Sequence, residues 1–233
     1  MSKGQKSKSG INISTLLKDC VKRVQLRQSQ QQYVRTVDEN KIIFCHGPAG
    51  TSKTFTACYI GLKMLSEKQI KRIVLCRPMV ESSEKLGFLP GVLEEKISPY
   101  LKSYKSNIEK IIGKEATSEL FEKNIITFEP LAYMRGDTYD DALMILDEAQ
   151  NAEMKSLMLF VTRMGKSSKS IVAGDINQYD IQRNKVSMPK FYEIIKTTKG
   201  VGQHIFTEKD IVRAKILIEI VKKYDAWKDN EGR

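Results

Sequence analysis

The sequence predicts an α/β fold, a mostly parallel sheet with helices on both faces and a helical insertion. Two observations carry that prediction. Short apolar runs without polar alternation recur at 42–45, 73–76 and 142–146, and stretches with helical spacing separate them. Strands buried on both faces read this way, and parallel neighbours need a crossover between them, usually a helix. The first run also leads into Gly47, Pro48 and Gly50, with Lys53-Thr54 opening a helical segment. Strand, glycine-bearing loop and helix in that order make the context of a phosphate-binding loop.

In chain order, residues 1–12 are rich in Lys, Ser and Gly and read as a flexible basic tail ahead of a single domain over 13–233. From Ser14, the spacing of Leu16, Leu17, Cys20, Val21, Val24 and Tyr33 predicts an amphipathic helix broken around the glutamines at 28–32. Gln30 and Gln32 stand where a carboxamide can reach an adenine edge, although surface glutamines are the commoner reading of such a cluster. The loop follows: Gly47, Pro48, Ala49, Gly50, Thr51, Ser52, Lys53 and Thr54. Its backbone N–H groups and the positive end of the next helix can cradle an anion. Lys53 then reaches the β- and γ-phosphates, and the Thr54 hydroxyl holds Mg²⁺. Ser52 stands where the usual pattern has glycine, and its Cβ crowds a path on which backbone approaches ligand.

The strand at 73–76 ends in Arg77-Pro78, at the carboxyl edge where open α/β sheets bind ligands. Residues 79–124 read as a loop and helical insertion, Lys-rich from 92 to 122 and broken near Pro99 and Gly113. Phe88, Tyr100 and Tyr104 lie there among Lys85, Lys96, Lys102, Lys105 and Lys110. Aromatics among cations suit single-strand binding, and an amphipathic subdomain with tyrosines in its core suits the pattern equally. A strand at 125–128 precedes the buried run 142–146, which ends in Asp147-Glu148. Carboxylates at such a strand tip are costly unless they hold a metal or a water. Asp147 would then hold Mg²⁺, directly or through water, and Glu148 would orient and deprotonate the attacking water; a helix N-cap with an acidic first turn is the plainer reading of Asp147, but it leaves the apolar strand before it unexplained. A helix at 154–164 leads to a strand at 170–173 and then to Gly174-Asp175, with Gln178 placed to hydrogen-bond a γ-phosphate. The last strand is read at 204–206, with Thr207 capping a helix that runs to about Trp227 and carries Arg213 in its early turns.

The chain carries 39 Lys+Arg against 28 Asp+Glu, a formal charge of +11, which favours a polyanionic partner. Cys20, Cys45, Cys58 and Cys76 form no C-x-x-C pair and read as inert thiols in a reducing compartment. Without an export signal or an 18-residue apolar run, the expected location is the cytoplasm, away from membranes.

Taken together, GPAGTSKT, RPMVESSEKLGFLPG, PLAYMRGDT, LMILDEAQN, TRMG, GDINQYD and DIVRAKILIEIVKKY resemble the PhoH family of P-loop ATPases, relatives of superfamily one helicases. The resemblance implies a RecA-like core, ATP with Mg²⁺, a homo-oligomeric ring taken as a hexamer, and action on single-stranded RNA ahead of DNA. It also names Arg213 as first choice for an arginine finger, with Arg163 and Arg135 behind it; with room for one RecA-like domain, the expectation is that a neighbouring subunit supplies that arginine. Ser52 for Gly, Asp137 for a second basic residue and Ala214 for His depart from the family pattern. The nuclease module fused to some relatives is absent, so no ribonuclease activity is expected. Two functions follow: an ATPase stimulated by single strands, or a slow ATP-switched assembly or binding module. A nucleic-acid-binding protein with an inactive loop is the non-enzymatic rival.

Overall fold

The computed structural model describes residues 13–79, 93–176, 178, 186–214, 216, 217, 219, 220, 223 and 227. The tail at 1–12, Phe88 and Lys85 lie outside them. Six strands form one sheet: β1 (Ile42–His46), β2 (Arg72–Cys76), β3 (Ile126–Phe128), β4 (Ala142–Leu146), β5 (Lys169–Gly174) and β6 (Val201–Ile205). Their order is β3-β2-β4-β5-β1-β6 and every pairing is parallel. All five residues of β4 are buried, as a strand covered on both faces requires.

Alternation along β1 divides the core in two. Ile43 and Cys45 face a cluster built with α1 (Ile13–Arg23), α2 (Gln28–Glu39), α3 (Lys53–Ser66), α4 (Leu93–Ile112) and α5 (Lys114–Glu122). Phe44 faces the other, built with α6 (Met154–Val161) and α7 (Met188–Ile195). Helix α3 is the most enclosed, and Gly61 lets it lie close on the sheet: a Cβ there would stand 2.7 Å from Ile73 Cδ1. Cys45, Cys58 and Cys76 are buried, Cys20 is half-buried, and all four are free thiols.

Several boundaries differ from the sequence reading. The first helix breaks at 24–27, so the glutamines at 28–32 open α2. Pro99 lies inside α4, which continues through it. Loss of one backbone hydrogen bond is offset there by Tyr104, Ile108, Ile111 and Ile112, all in the core. The break at Gly113 is present, at φ 81. Tyr104 is 1% exposed and its hydroxyl donates to the Cys76 carbonyl, so it is a core residue and offers no stacking face. The last strand starts earlier, at Val201, and Thr207 caps only a 3-10 turn over Glu208–Asp210. Arg213 therefore lies in an irregular segment, ahead of helical residues at 216, 217, 219 and 220. Helix α7 was not anticipated; its signal is Met188, Phe191, Tyr192 and Ile195, spaced to present one apolar face.

Candidate nucleotide site

Because β5 lies between β4 and β1, the carboxyl ends of these three strands bring the loop, the acidic pair and the β5 tip together. They enclose a cleft of about 510 Å³. Of the predicted residues, Ala49, Gly50, Ser52, Lys53, Thr54, Asp147, Glu148, Gln178 and Arg213 line it. Asn107 and Lys110 of α4 line it too, although the sequence offers no signal for them beyond helical spacing. Gly47, Pro48 and Thr51 form the loop's frame behind these groups: Lys53 Nζ donates to the Gly47 carbonyl at 2.6 Å and the Pro48 carbonyl at 3.0 Å, and Thr51 Oγ1 donates to Pro48 at 2.9 Å.

The chain's later part holds this loop. Val212 N donates to the Gly50 carbonyl at 2.9 Å, and Arg27 donates to the Asp210 carbonyl at 2.8 Å while its other terminal nitrogen lies 3.5 Å from the Thr51 carbonyl. Gly50 has φ 85, and a Cβ on it would meet Arg213 Nε at 2.6 Å. Only glycine suits both that backbone and so close an arginine. Arg213 thus lies against the loop of its own chain, whereas the sequence reading assigned it to a neighbour's site. Arg135 lines a different cleft, of about 630 Å³, beside Met79 and Leu131. Arg163 donates to the Asp137 carbonyl at 3.2 Å and does not line the nucleotide cleft.

Thr54 Oγ1 donates to Asp147 Oδ2 at 2.9 Å, which ties the loop helix to the tip of β4. Burial, with Glu148 adjacent, pushes the Asp147 carboxyl up to about 6, against the opposing effects of the Thr54 hydrogen bond and Arg77. Mg²⁺ takes hard oxygen donors and is commonly held by one or two protein groups plus substrate phosphates. A hydroxyl and a carboxylate in contact at the mouth of the loop fit that requirement. No cluster of three or more His, Cys, Asp or Glu able to hold a metal occurs among the described residues.

Glu148 sits in the left-handed region, at φ 54 and ψ 37. Such backbone costs about 1–3 kcal/mol and persists where the surroundings over-determine it. Here they do. Gln150 Nε2 donates to Glu148 Oε2 at 2.6 Å, Gln150 Oε1 accepts from Asp175 N at 3.0 Å, and Arg77 Nη2 lies 3.3 Å from Glu148 Oε1. Gln150 went unnoticed in the sequence because a glutamine after two acids carries no signal until β5 is placed beside it.

Gln30 is 5% exposed; its Nε2 donates to Thr56 Oγ1 at 3.0 Å and its Oε1 accepts from Arg27 N at 3.0 Å. It braces α2 on the loop helix and is neither a surface residue nor a free reader of a base. Gln32 is exposed.

Ser52 has φ 69 and ψ 30, a left-handed conformation that costs a residue with a Cβ roughly 1–2 kcal/mol. Ser52→Gly is expected to tighten ATP binding severalfold. The melting temperature should rise by a few degrees at most, since glycine's added chain entropy of about 0.5–1 kcal/mol offsets about half of the relieved strain. A fluorescent-nucleotide titration beside a thermal melt tests this; unchanged or weaker binding would contradict it.

Residues 23–225 match the PhoH-like protein family. The chain is 41% identical over 197 residues to a PhoH-like protein of Bacillus subtilis, covering 84% of this chain and 62% of that one. It is 32% identical over 200 residues to Protein PhoH of Escherichia coli K12, covering 84% of this chain and 56% of that one. The chain therefore spans somewhat over half the length of these curated relatives. Among solved structures it is similar to the Sulfolobus solfataricus SWI2/SNF2 ATPase core in complex with dsDNA, at 14% identity and TM-score 0.47, over 82% of this chain and 47% of that one.

Proposed function

The chain belongs to the PhoH-like protein family, and from that premise we propose that it is an ATPase that uses Mg²⁺ and acts on single-stranded nucleic acid, RNA ahead of DNA. The contact of Thr54 with Asp147 inside a cleft that also holds Lys53 and Glu148 carries the reading. Lys53 neutralises the β- and γ-phosphates of ATP, and Thr54 with Asp147 would hold the metal. Bound there, Mg²⁺ would supply positive charge to the phosphate oxygens. Glu148 takes a proton from the attacking water. Gln178 hydrogen-bonds the γ-phosphate, and Arg213 supports the developing charge from within the same chain. A ring of subunits, hexameric by family resemblance, belongs to the proposal, but Arg213 at its own loop no longer argues for it.

The net charge of +11 and the exposed Lys102 and Lys110 of α4 favour a polyanionic partner. No described helix is long and apolar enough to cross a membrane. The test is ATP turnover with and without poly(U) and oligo(dT), across a salt series. Stimulation that falls as salt rises supports action on single strands. Turnover without stimulation favours the slow ATP-switched assembly module, and absence of ATP binding overturns the enzymatic reading.

Arg213→Ala is expected to lower turnover by roughly 10²-fold, the usual cost of one donor to transition-state charge. Mixing Arg213→Ala chains with Glu148→Gln chains should restore nothing if the arginine serves its own site. Restored activity would place it in a neighbour's site, and full activity of the single variant would remove it from the mechanism.

A further inference from the structure

We propose that Arg77 is a positioning residue that couples nucleic acid lying against α4 to hydrolysis, by exchanging the Glu148 carboxylate for a backbone phosphate. The inference rests on the reading of Glu148 as the base and names how single strands would act on it.

Glu148 has a partner on each of its oxygens, and the two partners pull from opposite sides. Gln150 reaches Oε2 and is fixed to the tip of β5 through Asp175 N, on the side of the loop. Arg77 reaches Oε1 from the end of β2. In the strand order β2-β4-β5-β1, β2 flanks β4 on the side away from β5 and the loop. The ion pair therefore restrains the carboxylate from the side opposite the phosphates. Releasing Arg77 leaves Glu148 with Gln150 alone, toward the β5 tip where Gln178 lines the cleft.

The other side of Arg77 belongs to the insertion. Its guanidinium lies 5.5 Å from the ring centre of Tyr100. One turn further along α4, Tyr104 anchors the helix to the same strand end through the Cys76 carbonyl. Arg77 is thus held between an α4 aromatic and the base, on a helix whose Lys102 and Lys110 are exposed. Side-chain exposures of 25% for Arg77 and 38% for Glu148 leave the pair screened by water, so it exchanges partners at small cost. A nucleic-acid phosphate is a strong competitor, because guanidinium matches it with two parallel hydrogen bonds, and Tyr100 beside it offers a base a stacking face.

The experiment measures ATP turnover by the full chain with and without poly(U), for the native protein, Arg77→Gln and Tyr100→Leu. Arg77→Gln is expected to raise unstimulated kcat by about fivefold, the weight of a partly exposed ion pair, with KM for ATP unchanged and stimulation reduced to near unity. Tyr100→Leu should raise the poly(U) concentration needed for half-maximal effect by about fivefold, the lower range for losing one stacked base. If Arg77→Gln lowers unstimulated kcat, or changes neither rate, the proposal is wrong. If Arg77→Gln melts below the assay temperature, Tyr100→Leu decides, and an unchanged poly(U) requirement overturns the coupling. Native turnover that poly(U) does not stimulate overturns this inference and leaves hydrolysis standing. Absence of native turnover overturns the reading of Glu148 and this inference with it.

Discussion

Glu148→Gln is expected to cut ATP turnover by about 10²–10⁴-fold while leaving ATP binding within a few-fold of the native value. The substitution keeps shape and removes the one function required of the side chain, acceptance of a proton from water. Glutamine can still bond to Gln150, so the left-handed backbone at 148 retains that support. Binding survives because phosphate contacts are assigned to the loop residues and Lys53, which the change does not touch. Single-turnover phosphate release beside an equilibrium nucleotide titration separates the two quantities. Loss of binding in step with turnover would make Glu148 a structural residue and move the base elsewhere.

Asp147→Asn should disable the protein and stabilise it at once. The folded carboxyl is held near 6, against 3.8 for the free side chain. Between those values the folded chain keeps a proton that the unfolded chain has lost. Stability therefore falls as pH rises through about 4 to 6, and above 6 the full cost of the buried charge remains. That difference corresponds to about 3 kcal/mol. Asparagine removes that cost and still accepts the Thr54 hydroxyl. In the absence of Mg²⁺ at pH 7.5, the variant should melt about 5 °C or more above the native chain, and the gap should close toward pH 4.5. With Mg²⁺ and ATP, its turnover should fall by about 10²-fold or more. At limiting Mg²⁺ the native chain should lose Mg²⁺-dependent turnover as pH drops through about 6, and saturating Mg²⁺ should move that loss to lower pH, because proton and metal compete for Asp147. A melting temperature that is lower in the variant, or independent of pH, would contradict the assigned burial cost.

The parallel sheet was legible because its strands are apolar without alternation, and the loop and acidic pair because each follows such a strand. Strand order was not legible, and with it went every relation across strands. Gln150 braces Glu148 only because β5 lies next to β4, and Arg77 reaches Glu148 only because β2 lies on the other side. Tyr104 shows a second limit: an aromatic among lysines reads equally as a stacking platform or as core, and only the packing of α4 on α3 decides for core. Pro99 shows a third, since tertiary burial outweighs a local breaker. The position of Arg213 after Thr207 reads as helical, whereas an irregular segment carries it back onto Gly50.

Titration with a non-hydrolysable ATP analogue, with and without Mg²⁺, on the native chain and on Lys53→Ala, bears most directly on the shared site. Native binding should tighten when Mg²⁺ is present, and Lys53→Ala should weaken it by about 10²-fold, the loss of a charged hydrogen bond worth up to about 3 kcal/mol. Equal affinity in the two chains, or binding indifferent to Mg²⁺, would mean that Lys53 and Asp147 do not meet around one metal–triphosphate.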